Sequence, residues 1–177
     1  MKPLQQGNLD GLCGLYSLLN AARLAVPTLP RRTCTCLFRE GAHWLYDRGA
    51  FPEVLYAGMT IGKLMGLHKA VFQPRIPGLR LKRPFIRSPP ANTAEFWERL
   101  KTYAEQPGQG VIIGIGRPQL THWSVVSGVT TAKVMLFDSN GSTYLVRDKC
   151  AYTGADVKAT TIIMPNGVSI LVYTRRR

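Results

Sequence analysis

The sequence predicts an α+β domain, and three observations carry that reading. Helical periodicity dominates the chain up to Pro107, and short β-branched runs at close spacing dominate it from Gly110 onward. Helices followed by an antiparallel sheet, rather than alternating with strands, is the α+β order. At 177 residues and 45% apolar content the chain can bury one substantial core, so residues 1–177 are expected to form a single domain.

The first element is the stretch from Gln5 to Ala22, a loop running into a helix. Asp10 suits an N-cap, and Leu12, Leu15, Tyr16, Leu19, Ala22 and Val26 recur on one helical face before Pro27 ends it. Residues from about Thr33 to Arg48 predict a second helix stopping at Gly49, and Met59 to Lys69 a short third one. Proline and arginine dominate Gln73 to Pro90, which argues for an extended, irregular crossing. Asn92 with Glu95 is a capping-box variant, followed by an apolar stripe of Phe96, Trp97, Leu100, Tyr103 and Ala104. Val111 to Gly116 is then a buried strand. His122–Val129, Lys133–Asp138 and Thr143–Val146 follow as strands, and Ala159–Met164 and Val168–Tyr173 flank an Asn166-Gly167 hairpin signal.

Twenty-three basic against 10 acidic residues leave a net charge of +13, which points to an acidic partner. The charge is dispersed, and neither aromatic–basic interleaving nor a helix-turn-helix pattern accompanies it, which argues against nucleic acid and for an acidic protein. No apolar run approaches the roughly 20 residues of a membrane span. Met1 to Gln6 lacks the apolar stretch of a signal peptide, so a cytoplasmic protein is expected, with export by a signal-independent route left open. Cys13, Cys34, Cys36 and Cys150 show no disulfide framework. Cys34-Thr35-Cys36 is a poor metal motif, and neither metal nor cofactor is expected.

Cys13 is the candidate nucleophile. With Asp10 as cap it falls at the third helical position, where unpaired N–H groups and the helix dipole favour the thiolate; a plain core cysteine is the competing reading. A three-residue loop at Val129–Thr131 would set His122 opposite Asp138, and a shifted or longer loop would bring Ser139 or Asn140 there instead. Opposed Cβ atoms lie about 4.5–5.5 Å apart, within reach for an imidazole–carboxylate bond. A histidine oriented by an acid and facing a thiol is the constellation of nucleophilic catalysis. Either Gln6 or Gln5, in the loop before Cys13, could supply an oxyanion donor beside the backbone N–H of Cys13.

Gln6, Cys13-Gly14, His122-Trp123 and Asp138-Ser139, in this order, resemble the papain-like cysteine peptidases. The nearest likeness is to the double-glycine peptidase domain of bacteriocin-exporting ABC transporters. The likeness covers roughly residues 5–22 and 110–141. In the family the glutamine usually stands six residues before the cysteine, where this chain has Gly7, and a proline usually follows the aspartate, where it has Ser139. The resemblance implies a papain-like fold with N-terminal helices on a C-terminal antiparallel sheet. It also implies a Cys13-His122-Asp138 triad with Gln6 at the oxyanion, and cleavage of a protein substrate after small residues such as Gly-Gly, Trp123 forming one wall of a narrow cleft. Standing without transporter segments and strongly basic, the chain looks like the papain-like toxin domains of interbacterial competition, which implies an acidic immunity protein. Two rivals are carried forward: a glutamine deamidase or transglutaminase using the same triad, and a non-enzymatic basic binding module.

Overall fold

The computed structural model describes residues 1–7, 10–117, 120–151 and 161–174. The helices are α1 (Cys13–Ala25), α2 (Arg31–Asp47), α3 (Phe51–Ala57), α4 (Ile61–Leu67), α5 (Gln73–Arg75), α6 (Pro84–Arg87) and α7 (Thr93–Glu105). A π-helical turn, His68–Phe72, joins α4 to α5. The strands are β1 (Leu79–Lys82), β2 (Gln109–Arg117), β3 (Leu120–Val129), β4 (Lys133–Leu136), β5 (Tyr144–Val146), β6 (Cys150–Ala151) and β7 (Thr161–Tyr173). Six of them form an antiparallel sheet in the order β1-β7-β2-β3-β4-β5, and the two-residue β6 pairs parallel to β7. The architecture is α+β, as the residue pattern predicts.

Both faces of this sheet are covered, so the molecule has two cores. Strand alternation sends Ile112, Trp123, Val125 and Leu171 toward α1 to α4. Their neighbours Val111, Ile113, Val126 and Ile170 pack against Phe85 of α6 and Phe96, Trp97 and Leu100 of α7. Asn92 accepts a hydrogen bond from the Glu95 N–H at 2.9 Å, while Glu95 reaches back to the Ala91 N–H at 2.7 Å, closing the predicted cap around α7.

Helix α1 lies between the sheet and α2, and this location overrides its amphipathic pattern. Besides the predicted apolar stripe, Ser17, Asn20, Ala21 and Ala25 are buried as well. Close approach to β2 depends on Gly110, where a Cβ would stand 2.1 Å from the Ala21 carbonyl oxygen. Asp10 is not the cap: Leu12 holds that position and Cys13 is the first helical residue, not the third. The Asp10 carboxylate is instead spent on the preceding loop, accepting from Leu12 N–H at 3.1 Å and Gly7 N–H at 2.7 Å.

Three other expectations are corrected. The Gln73–Pro90 crossing contains a strand, β1, whose pairing partner β7 lies far along the chain, so local composition could not reveal it. Helix α3 also went unpredicted; Phe51 and Pro52 open it and Gly58, at φ 74°, ends it. The Asn166-Gly167 signal makes no hairpin. β7 runs straight through it, and the β2–β7 register shifts there, from Ile112↔Ser169 to Gly114↔Met164, so that the extra residues are absorbed as a bulge. Residues 159 and 160 of the predicted strand lie outside the described residues. No helix among the described residues is long and apolar enough to cross a membrane.

Replacing Gly110 by Ala should destabilise the fold by about 2 kcal/mol or more, because the clash is with helix backbone that cannot rotate aside. Gly128→Ala, where a Cβ meets nothing within 4 Å, should be close to neutral. Urea denaturation of the two variants measures the difference.

Candidate active site

Cys13 opens α1, and its place is set by the loop before it. The Gly11 N–H donates to the Leu55 carbonyl at 2.7 Å, an approach only glycine permits, since a Cβ there would lie 2.5 Å from the Val54 oxygen. The next residue inside the helix, Gly14, leaves room for the Met59 and Trp123 side chains directly beneath. Cys13 is 4% exposed, and its thiol lies 3.8 Å from the Gly11 carbonyl.

His122 and Asp138 meet with Nε2 and Oδ2 2.7 Å apart. The register that brings them together differs from the one expected. The loop after β3 is longer, with Val129 paired to Val134, and a bulge at Ser127 then shifts the pairing to Val126↔Leu136. A hydrogen bond from Phe137 N–H to the Val125 carbonyl extends this pairing, so Asp138 comes level with Ser124 rather than His122. The carboxylate reaches His122 diagonally, along the same side of β3. Its other oxygen accepts from the N–H groups of Asn140 at 2.8 Å and Ser142 at 3.3 Å, which fixes its orientation.

The electrostatics follow from this geometry. Burial works against protonation of His122, whose side chain is 12% exposed, but it is outweighed. The hydrogen bond to Asp138, the Cys13 side chain close by, and the charges of both groups hold the imidazole's pKa at about 9. Burial likewise pushes the Asp138 carboxyl up. The bond from His122, the imidazolium charge and the Asn140 N–H more than reverse this and keep it below the usual carboxylate range. Cysteine, histidine and aspartate therefore lie close together, with Nε2 given to Asp138 and Nδ1 not engaged by it. Among the described residues no group of histidine, cysteine or acidic side chains could hold a metal ion.

The two glutamines are separated by a feature that the sequence reading did not include. Residues before Gly7 form a strap across α1, held by Asn20, which is fully buried. Its amide accepts from Leu4 N–H at 2.8 Å and donates to the Leu4 carbonyl at 3.0 Å. The strap continues through a bond from Gln6 N–H to the Ser139 carbonyl at 3.0 Å. Gln6 Nε2 then donates to the Asp10 carbonyl at 3.2 Å, three residues before the cysteine, and Oε1 accepts from Ser139 Oγ at 2.9 Å. Gln5 is exposed and donates instead to the Asp138 carbonyl at 3.2 Å. An asparagine facing into an apolar helix environment was the available signal for the strap, because a buried amide must find partners.

Trp123 does not form a cleft wall. Alternation along β3 turns it under α1, where it is 4% exposed, touches the Gly14 position and donates its indole N–H to the Met59 carbonyl. It supports the start of α1 from below. No protein-family model, curated protein or solved structure matches this chain.

A histidine whose pKa is raised by folding contributes stability that is complete below its ordinary value of 6.5 and is lost as pH rises through about 9. NMR titration should show His122 protonated through neutral pH, and Asp138→Asn should move its midpoint down. Asn20→Leu should loosen the strap, costing about 1–3 kcal/mol by orphaning the Leu4 groups, as read by urea denaturation and by faster amide exchange at Gln6.

Proposed function

We propose that this chain is a cysteine peptidase of papain-like type, working through Cys13, His122 and Asp138. The 2.7 Å contact between His122 and Asp138 beside the sulfur at the start of α1 carries this reading. A thiol at a helix start and a histidine held by a buried acid together make a covalent-catalysis site.

The chemistry then runs as follows. The Cys13 thiolate, its proton already held by His122, attacks the carbonyl carbon of the scissile peptide. A tetrahedral oxyanion forms and faces the backbone N–H of Cys13 and the second hydrogen on Gln6 Nε2, which the contact with Asp10 leaves unused. As this intermediate collapses, the C–N bond breaks and the imidazolium gives its proton to the departing amine. The acyl group remains on sulfur as a thioester. Water, deprotonated by His122, attacks it; the C–S bond breaks, the acid is released, and the sulfur departs as thiolate facing the reprotonated His122. Asp138 keeps its negative charge throughout and holds the ring at Nε2.

A cut after small residues, an effector role in a target cell and an acidic inhibitor belong to the same proposal and rest on the family likeness and the +13 charge. In cells exposed to the protein, new peptide termini should be generated by the native chain and vanish with Cys13→Ala. His122→Ala and Asp138→Asn should each slow cleavage by ~10³-fold or more. Mass gains of about one dalton on glutamine side chains, with no new termini, would transfer the same triad to a deamidase. Peptide mapping after iodoacetamide should find Cys13 modified faster than the equally buried Cys34 and Cys150, and slowed by His122→Ala.

A further inference from the structure

Ser139, which takes no part in the chemistry above, is 2% exposed and turns both its hydroxyl and its carbonyl to one neighbour. The carbonyl accepts from the Gln6 main-chain N–H at 3.0 Å, and the hydroxyl donates to Gln6 Oε1 at 2.9 Å. The residues just before each are tied together as well, Gln5 Nε2 donating to the Asp138 carbonyl at 3.2 Å. Three hydrogen bonds thus join residues 5 and 6 to residues 138 and 139, across 133 positions of the chain.

These partners admit only one of the two orientations of the Gln6 amide. A carbonyl oxygen can only accept, so the end of the amide facing the Asp10 carbonyl at 3.2 Å must be Nε2. The other end is then Oε1, and the Ser139 hydroxyl supplies its hydrogen. The last torsion of a glutamine has broad, roughly two-fold wells, so little within the side chain itself selects this state. Half a turn about it would set Oε1 against the Asp10 carbonyl oxygen and present an acceptor where an oxyanion needs an N–H. Such a donor is effective only if it is aimed before charge develops. We infer that Ser139 is a positioning residue of the oxyanion hole, its hydroxyl locking the Gln6 amide with Nε2 toward the developing charge. Because Ser139 follows Asp138 directly, one short segment carries the acid and aims the oxyanion donor. The inference rests on the Cys13 reading of the site.

Two reagents on the full chain test it. Acylation by p-nitrophenyl acetate passes through an oxyanion: the Cys13 sulfur bonds to the ester carbonyl carbon, the C–O bond breaks, p-nitrophenolate leaves and the acetyl group stays on sulfur. Alkylation by iodoacetamide displaces iodide from carbon and forms no oxyanion. Ser139→Ala should slow acetylation of Cys13 about tenfold, against ~10²-fold for Gln6→Ala, and leave its alkylation within about twofold of native. Added to Gln6→Ala, it should slow acetylation no further, since the two residues act as a unit. NMR should also show faster hydrogen exchange at the Gln6 side-chain amide in Ser139→Ala. Equal acetylation of Ser139→Ala and native protein would overturn the inference, as would a further loss on the Gln6→Ala background. Equal slowing of acetylation and alkylation would overturn it too, leaving Ser139 as a fastener of the strap with no share in aiming the amide. A native chain whose Cys13 is acetylated no faster than its exposed Cys36 would instead remove the Cys13 reading, and this inference with it.

Discussion

Burial of α1 on nearly every side is the constraint from which the rest of the structure follows. A helix with Ser17, Asn20 and Ala21 inside as well as its leucines must be enclosed by the sheet, by other helices and by the strap at once. Gly110 lets β2 lie against its backbone, Gly14 lets Met59 and Trp123 close under its first turn, and Gly11 docks the entering loop on the end of α3. Each of these is a place where a side chain is forbidden rather than one where it contributes. The first residue of the helix is thereby held from several directions, and that residue is Cys13. Interiors at crystalline packing density resist displacement, so a group mounted on such an element keeps its position.

The acid–histidine pair is built on a different principle. It sits at the open end of β3 and β4, where the ladder has ended and backbone N–H groups are free to bind the carboxylate. Asp138 is completely buried, which alone would drive it toward its neutral form, yet it stays charged because His122 and two backbone donors face it. Removing any one partner leaves a charge without compensation in a poorly solvated place. The strap adds the last link: through Asn20 and Ser139 it joins the helix, the acid's loop and Gln6 into one hydrogen-bonded unit.

Charge is distributed with the same division of labour. The acidic residues are few, and several are tied up locally, Glu40 with Arg75, Glu53 with Lys63 and Glu95 with Arg99. What remains is an excess of basic side chains, among them the exposed Lys82 of β1 and Arg87 of α6.

Local pattern in the chain was enough to locate α1, α2, α7 and the central strands, because each is dictated by periodicity, caps and breakers within a few residues. Asn92 and Glu95, or Pro27 and Gly49, act on their immediate neighbours and can be read where they stand. The pairing of Cys13, His122 and Asp138 was legible as chemistry, from residue type and order, but not as geometry. The expected register was wrong, and the acid still arrived, because a bulge at Ser127 and a longer loop compensate along a strand where alternate residues share a side. Helix α1's total burial, the partnership of β1 with β7, the through-running Asn166-Gly167 segment and the turning of Trp123 into the core were decided by contacts between residues far apart in sequence. No local rule contains those distances. Tertiary structure set the two glutamines apart, Gln6 bonded to the Asp10 carbonyl and Gln5 to the Asp138 carbonyl, because only the fold says where Asn20 finds its partners.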